Sequence, residues 1–215
     1  MIDWSRVDTV LLDMDGTLLD LHFDNHFWQQ ALPAAYAARR GWSLAESQAH
    51  VFEQMRRVEG TLDWYCLDYW RRLLDLDIVA IKREIQHKIG YRPGTEAFLQ
   101  GLRRRGKRTV LVTNAHHDSL NLKRQRVQLD PYLDAVHSSH DHGASKESHR
   151  FWDSFQRLES FDPARTVFVD DSLSVLRSAH GWGIEQVYGV ARPDLQAPPL
   201  QPHEYPMLDD LSEAL

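Results

Sequence analysis

Asp13 and Asp15 stand two residues apart directly after an apolar run, in the stretch VDTVLLDMDGT that ends at Gly16 and Thr17. The run Val7–Leu12 is short, β-branched and stopped by an acidic turn, which predicts a buried strand. Carboxylates at i and i+2 beyond a strand can share one polar pocket. One can bind a hard cation and attack phosphorus, while the other gives and takes protons. Gly16 permits a sharp turn and lets backbone N–H groups come close to a phosphate. The competing reading is a turn that carries two solvated acids.

Three further positions repeat the pattern of polar chemistry at the end of an apolar run. Thr113-Asn114 closes RTVLVTN, where a hydroxyl and a backbone N–H are good donors to phosphate oxygens. Lys146 follows the loop SSHDHGAS; a lysine near a nucleophilic carboxylate balances its charge and that of a phosphoryl group. Asp170-Asp171 closes RTVFVDDS, and adjacent acids beyond a buried strand are costly unless a cation compensates them. Taken singly, Thr113 and Lys146 are weak signals, because turns and solvated lysines are common. The two acidic pairs are moderately specific.

The elements that must position these groups alternate. Apolar runs at Val7–Leu12, Arg108–Val112, Ala135–Ser138, Arg165–Val169 and Gln186–Val190 read as strands. Helical patterns follow at Asp118–Leu129, Lys146–Leu158 and Ser172–His180. Strands alternating with helices imply crossovers and an α/β fold with a doubly wound parallel sheet, whose ligands bind at the carboxyl ends of the strands. Residues 18–90 break the alternation and read as all-helical. Ser43 and Glu46 form a capping box for a helix running to Gly60, Asp63 is the expected cap of a helix through Leu74, and Asp77 of one stopping at Gly90. A helical insert after the first strand would stand over that strand's end. The Pro-rich stretch after Arg192 is expected to be extended, and Met207–Leu215 to form a short helix.

Together, Asp13/Asp15, Thr113, Lys146 and Asp170/Asp171 resemble the ordered motif set of the haloacid dehalogenase superfamily, and the insert resembles its helical cap. The segments LLDMDGTLLDLHFDNHFW, TLDWYCLDYW and VFVDDS are similar to the bacterial purine 5′-nucleotidases that act on GMP and IMP. The resemblance implies a Rossmann-like core from residues 1–17 and 91–215, with the cap at 18–90. It implies that Asp13 forms an aspartyl phosphate and that Asp15 protonates the leaving oxygen and then activates water. It implies Mg²⁺ held by the Asp13 carboxylate, the Asp15 backbone carbonyl, Asp171 and Asp170. Gly16, Thr113, Asn114 and Lys146 would hold the phosphoryl group. Two departures stand out: Val175 occupies a position where many members carry another acid, and Ser145 one where many carry proline.

Other features weigh less. The basic run Arg103–Arg108 suits a helix C-terminus, where the dipole favours cations. His137, His140, His142 and His149 crowd the Lys146 segment; zinc is conceivable, but the expected oxygen-rich site suits magnesium. His140 or His142 is also a candidate for the rim of the active site. Phe27, Trp28, Trp64, Tyr65, Tyr69 and Trp70 form an aromatic group that either builds the insert's core or offers Trp28, Trp64 or Tyr69 to stack on a base. Cys66, within that group, reads as packed.

The 215 residues carry 42% apolar and 26% charged residues and a formal net charge of −6. That charge disfavours nucleic acid as a partner. The start lacks a signal-peptide layout, no apolar run reaches the ~20 residues of a membrane span, and the single cysteine excludes an intrachain disulfide. A soluble cytoplasmic protein is expected, and a monomer is compatible with the sequence. The expected function is hydrolysis of a small phosphomonoester, a purine nucleoside monophosphate first, then a sugar phosphate. A carbon–halogen hydrolase and a non-catalytic binding protein are more distant alternatives.

Overall fold

The computed structural model describes residues 2–215. Six parallel strands form one sheet in the order β3-β2-β1-β4-β5-β6: β1 (Thr9–Leu12), β2 (Arg108–Thr113), β3 (Ala135–Ser138), β4 (Thr166–Val169), β5 (Gln186–Val190) and β6 (Met207–Leu208). β1 lies between β2 and β4 and is buried throughout. Its side chains alternate between two apolar layers, as the two-residue period of a strand requires. Val10 and Leu12 join Phe98, Leu102 and Val167 on one face; Leu11 joins Val110, Phe151, Trp152 and Phe168 on the other. Covering both faces is why the central strands read as continuous apolar runs.

Strand register sets the level of the chemistry. Leu12 pairs with Leu111 and with Val169, so Asp13 and Asp170 leave the sheet side by side. Asp13 N–H still donates to the Val169 carbonyl (3.0 Å), holding the first residue past β1 rigid.

The segment after β1 is helical: α1 (His22–His26), a π-helical turn Phe27–Ala31, α2 (Leu32–Arg40), α3 (Leu44–Val58), α4 (Leu62–Tyr65), α5 (Leu67–Leu74) and α6 (Ile78–Glu84). Phe27, Leu32, Val51, Leu67, Trp70 and Ile78 build an apolar cluster of its own, whereas Leu18, Leu19, Phe23 and Ile89 belong to the sheet's cluster. The wide turn follows from Pro33. Proline lacks the N–H that would bond back to Gln29, and the freed Gln29 carbonyl accepts from Gln48 Nε2 at 3.3 Å. The Ser43–Glu46 capping box starts α3, and Asp77 caps α6 through Ala80 N–H, both as expected.

Several boundaries differ from expectation. Thr61 rather than Asp63 is the residue before α4, and the helix breaks at extended Cys66 instead of running on to Leu74. The helix from Asp77 ends at Glu84 and gives way to a 3₁₀ turn at Gln86–Lys88 before Gly90. α7 (Thr95–Arg104) precedes β2, and α8 (His117–Arg126) and α9 (Ser139–His142) follow β2 and β3. α10 spans His149–Leu158 rather than starting at Lys146, because the Ser148 hydroxyl caps it by accepting from Arg150 N–H. α11 (Leu173–Trp182) follows β4. Met207–Leu215 is not a helix: it pairs as β6 beside β5 and ends in a 3₁₀ turn, Leu211–Ala214. The basic run closes α7, where Lys107 Nζ donates to the Trp4 and Val7 carbonyls. Among the described residues no helix is long and apolar enough to cross a membrane.

Candidate active site

Lys146 is the hub of the site. Its ammonium donates to Asp13 Oδ1 (2.5 Å), Asp170 Oδ2 (2.6 Å) and the Val112 carbonyl (3.0 Å), and it is almost fully buried. The loop that carries it is held by Asn114, whose Oδ1 accepts from Lys146 N–H (2.9 Å) and whose Nδ2 donates to Glu147 (3.1 Å). Asp170 is fixed on its other oxygen by Ser172 N–H (2.8 Å). Thr113, the last residue of β2, accepts from Ala115 N–H at 3.0 Å, which leaves its hydroxyl proton free to donate. Strand ends therefore position Asp13, Thr113 and Asp170, and side-chain bonds position Lys146.

Burial dominates the electrostatics. It pushes Asp13 up to about 7, although Lys146 pulls the other way and Asp170 adds to the rise. Asp171 rises well above the usual carboxylate range, first through burial and then through Asp170 and Asp13. Three carboxylates, Asp13, Asp170 and Asp171, thus face one ammonium, and Asp171 makes no ion pair among the described residues. A hard cation is the group such an excess of carboxylate oxygen accommodates. Gly16, at φ +85°, makes room for this arrangement, since a Cβ there would lie 2.4 Å from Asp171 Oδ2.

Asp15 belongs to a second ionic chain that the sequence reading missed. Lys123 Nζ lies 2.6 Å from Asp15 Oδ1 and 2.7 Å from Asp24 Oδ2, and Lys82 Nζ donates to Asp24 Oδ1 at 2.8 Å. Burial pushes Asp15 to about 7 against the pull of Lys123, with Asp24 and Asp13 raising it further. Burial would raise Asp24 as well, but the two lysines outweigh it and hold it at about 2. A sequence signal existed. Ile78, Lys82 and Ile85 share one helix face, as do Leu120, Lys123 and Val127, so each lysine occupies an apolar register position.

A cavity of about 370 Å³ opens beyond the strand ends. Asp13, Asp15, Thr113, Asn114, Lys146, Asp170 and Asp171 line it from the sheet; Trp28, Gln29, Met55, Trp64 and Tyr65 line it from the helical segment. Trp28 and Trp64 therefore reach the cavity as expected. Tyr69 is outside its lining and packs edge-on against Trp70 at 5.2 Å. His140 and His142 are also outside it; His140 lies next to His116, which does line it, and His142 packs against Phe151. Tyr65 was read only as one of the aromatic group; its hydroxyl donates to Glu147 at 2.6 Å. The four histidines near Lys146 do not converge: His137 meets Glu159 at 3.3 Å and His142 meets Ser154 at 3.1 Å.

Residues 7–181 match the model of the haloacid dehalogenase-like hydrolase family. The chain belongs to this family of hydrolases. The hydrolase is 42% identical over 209 residues to the GMP/IMP nucleotidase YrfG of Escherichia coli (strain K12), covering 97% of this chain and 94% of that one; the Shigella flexneri protein of the same name matches equally. Among solved structures it is similar to a HAD phosphatase from Thermococcus onnurineus, with a TM-score of 0.79 and 24% identity over 97% of this chain and 96% of that one. An L-2-haloacid dehalogenase from Xanthobacter autotrophicus, with chloropropionic acid covalently bound, aligns at a TM-score of 0.61 and 17% identity over 97% and 96% of the two chains. At these identities the structures bear on the fold alone. The hydrolase keeps the family's doubly wound parallel sheet with the helical segment after β1.

Proposed function

We propose that this hydrolase is a Mg²⁺-dependent phosphomonoesterase that acts on purine nucleoside 5′-monophosphates, GMP and IMP first. The carrying observation is the cavity itself: carboxylates, Thr113 and Lys146 line it from the sheet, and Trp28 and Trp64 line it from the helical segment. The first group suits a phosphoryl group and the second a flat base. The identity to a GMP/IMP nucleotidase over nearly the whole chain supports the same reading.

In this mechanism Asp13 attacks phosphorus and the phosphoryl group passes to its carboxylate. Asp15 gives its proton to the leaving ribose oxygen, then takes one from the water that attacks the aspartyl phosphate. Lys146, the Thr113 hydroxyl and the Asn114 backbone N–H balance and orient the phosphoryl oxygens. Asp13, Asp171, Asp170 and the Asp15 carbonyl would hold Mg²⁺, which supplies charge neutralisation when bound. Residues 18–90 act as the cap that selects the leaving group, over a core of 1–17 and 91–215.

The test is turnover of a phosphoester panel of nucleotides, sugar phosphates and p-nitrophenyl phosphate. GMP and IMP should lead in kcat/KM by at least about tenfold. A sugar phosphate in the lead would overturn the substrate assignment, and turnover of haloacids alone would overturn the phosphatase.

A further inference from the structure

We propose that Cys66, His116 and His140 form a binding site for a thiophilic divalent cation, zinc, that ties the helical segment to the sheet. Their ligand atoms all lie within 4.8 Å of one another, and all three residues are partly buried. They come from three places: Cys66 is the extended break between α4 and α5, His116 caps the start of α8 beyond β2, and His140 lies in α9 beyond β3.

Two of the three donor atoms, on His140 and Cys66, are free, and the third, on His116, becomes free by a shift of its ring proton. His116 Nδ1 accepts from Asp118 N–H at 3.3 Å, and His140 Nδ1 meets the Ser138 hydroxyl at 3.4 Å, so each ring turns its Nε2 away from these partners. His140 Nε2 is buried with no hydrogen-bond partner, and Cys66 is a free thiol. A buried ring nitrogen without a partner is costly, and a metal ion satisfies it. Ser138 Oγ gives its proton to the Ala115 carbonyl, so His140 Nδ1 donates to Ser138 and leaves Nε2 its lone pair, as a metal-bound imidazole requires. At His116, whose Nδ1 accepts from Asp118 N–H, the ring proton sits on Nε2 and moves to Nδ1 when the ion binds, ending that 3.3 Å bond. Asp68 Oδ2, 3.7 Å from His116 Nε2, adds negative charge on the same side.

Ligand chemistry separates this place from the carboxylate site. Sulfur and imidazole select zinc over magnesium, whereas an all-oxygen aspartate site suits magnesium. Zinc with one sulfur and two nitrogen ligands needs those atoms roughly 3.5 Å apart, which asks for about 1 Å of closure from the present positions. Binding releases the thiol proton to solvent and leaves a fourth position for water. Because Cys66 is on the helical segment and His116 lines the cavity, a bound ion would staple the two sides together beside the substrate space. Zinc should therefore slow turnover in the presence of Mg²⁺.

The experiment uses the full chain in excess Mg²⁺, with Co²⁺ as the spectroscopic probe and Zn²⁺ as its competitor. One equivalent of Co²⁺ should give a near-ultraviolet sulfur-to-metal charge-transfer band that Zn²⁺ abolishes. Cys66→Ser and Cys66→Ala should both lose the band and weaken Zn²⁺ binding at least tenfold. His140→Gln should keep a sulfur band but also bind Zn²⁺ at least tenfold more weakly. Thermal melting in Mg²⁺ alone establishes that each variant is folded. Zinc inhibition of p-nitrophenyl phosphate hydrolysis should shift by the same factor in Cys66→Ser. Wild-type protein without a sulfur band, or a folded Cys66→Ser that binds Zn²⁺ as wild type does, overturns the site. Inhibition that persists unchanged in Cys66→Ser places the ion on the carboxylates instead. None of these readouts depends on which nucleotide is the substrate.

Discussion

Lys146 touches both Asp13 and Asp170, so one ammonium serves two carboxylates while Asp171 has none. That imbalance leads to two predictions. Asp13→Asn keeps the shape of the site but offers phosphorus an amide, which is not a competent nucleophile. Its kcat for any phosphoester should fall at least about a hundredfold; a variant that keeps more than a tenth of wild-type turnover removes Asp13 from that role. The second concerns the cation. Activity should vanish with EDTA and return with Mg²⁺, while Ca²⁺, with its larger and looser coordination, should restore little. Full turnover in metal-free buffer would sink the phosphatase mechanism. Asp13, Asp170 and Asp171 were legible because they sit where apolar runs stop, and acids at the end of a buried strand stand out against the composition; Lys146, beyond a polar loop, was legible only through its place in the ordered set. Asp24, Lys82 and Lys123 were not. Their partners lie 58 and 99 residues apart in sequence, and an ion pair at that separation leaves no local trace beyond a lysine in an apolar register.

At the scale of elements, α1 is pinned to α6 and α8 by Asp24, which accepts from Lys82 and Lys123 together. Removing the carboxylate leaves two buried ammonium groups with one negative neighbour fewer. Asp24→Asn should therefore lower stability by about 3–5 kcal/mol, read as a fall in Tm. The pH dependence has a definite sign. The folded pKa of Asp24, about 2, lies below that of an unfolded aspartate, so its stabilisation is present above about pH 4 and fades as pH falls toward 2. The difference in Tm between variant and wild type should shrink across that window; a constant difference would mean that packing, not charge, holds α1. The π-helical turn has a different task. It carries Trp28 and Gln29 to the cavity, and Trp64 reaches the same space from α4. A base stacked on one tryptophan gains roughly 1–3 kcal/mol. Trp28→Leu or Trp64→Leu should then cost about tenfold or more in kcat/KM for GMP and IMP, with little change for p-nitrophenyl phosphate. Circular dichroism checks the fold, and equal loss on both substrates would make both tryptophans packing residues. The aromatic spacing predicted a cluster but could not separate its two uses. Tyr69 turned inward to Trp70, whereas Trp28 touches Trp70 at 5.3 Å and still lines the cavity.

Across the whole molecule, the helical segment meets the sheet through the loop that carries the hub lysine. Ser145 donates to the Gly60 carbonyl at 2.8 Å, and Glu147 accepts from the Tyr65 hydroxyl at 2.6 Å. The residues on either side of Lys146 thus both reach across to the helical segment. Ser145 stands where the resemblance led one to expect proline, and its hydroxyl makes a contact that proline lacks the group to make. The parallel sheet and the helical segment were legible from periodicity alone, but this contact was not, because Gly60 and Tyr65 lie more than eighty residues from their partners. β6 escaped for a related reason: two residues behind a Pro-rich stretch show no period, and only β5 gives them a strand to pair with. Tyr65 tests the crossing. Burial and the Glu147 carboxylate push its phenol well above the usual tyrosine range, so it stays a donor at all working pH values. A hydrogen bond to a charged group contributes about 1.5–3 kcal/mol. Tyr65→Phe removes that bond and leaves the ring, so the hold of the helical segment on the Lys146 loop should weaken roughly tenfold or more. Because Glu147 adjoins Lys146, which every phosphoester would meet, KM should rise by similar factors for GMP and for p-nitrophenyl phosphate. That pattern differs from the nucleotide-only loss expected at Trp28 and Trp64. Tyr65→Phe with a loss confined to nucleotides would instead place the tyrosine against the base. Unchanged kinetics on both substrates would mean that the Ser145 and Asp24 contacts hold the segment in place without Tyr65.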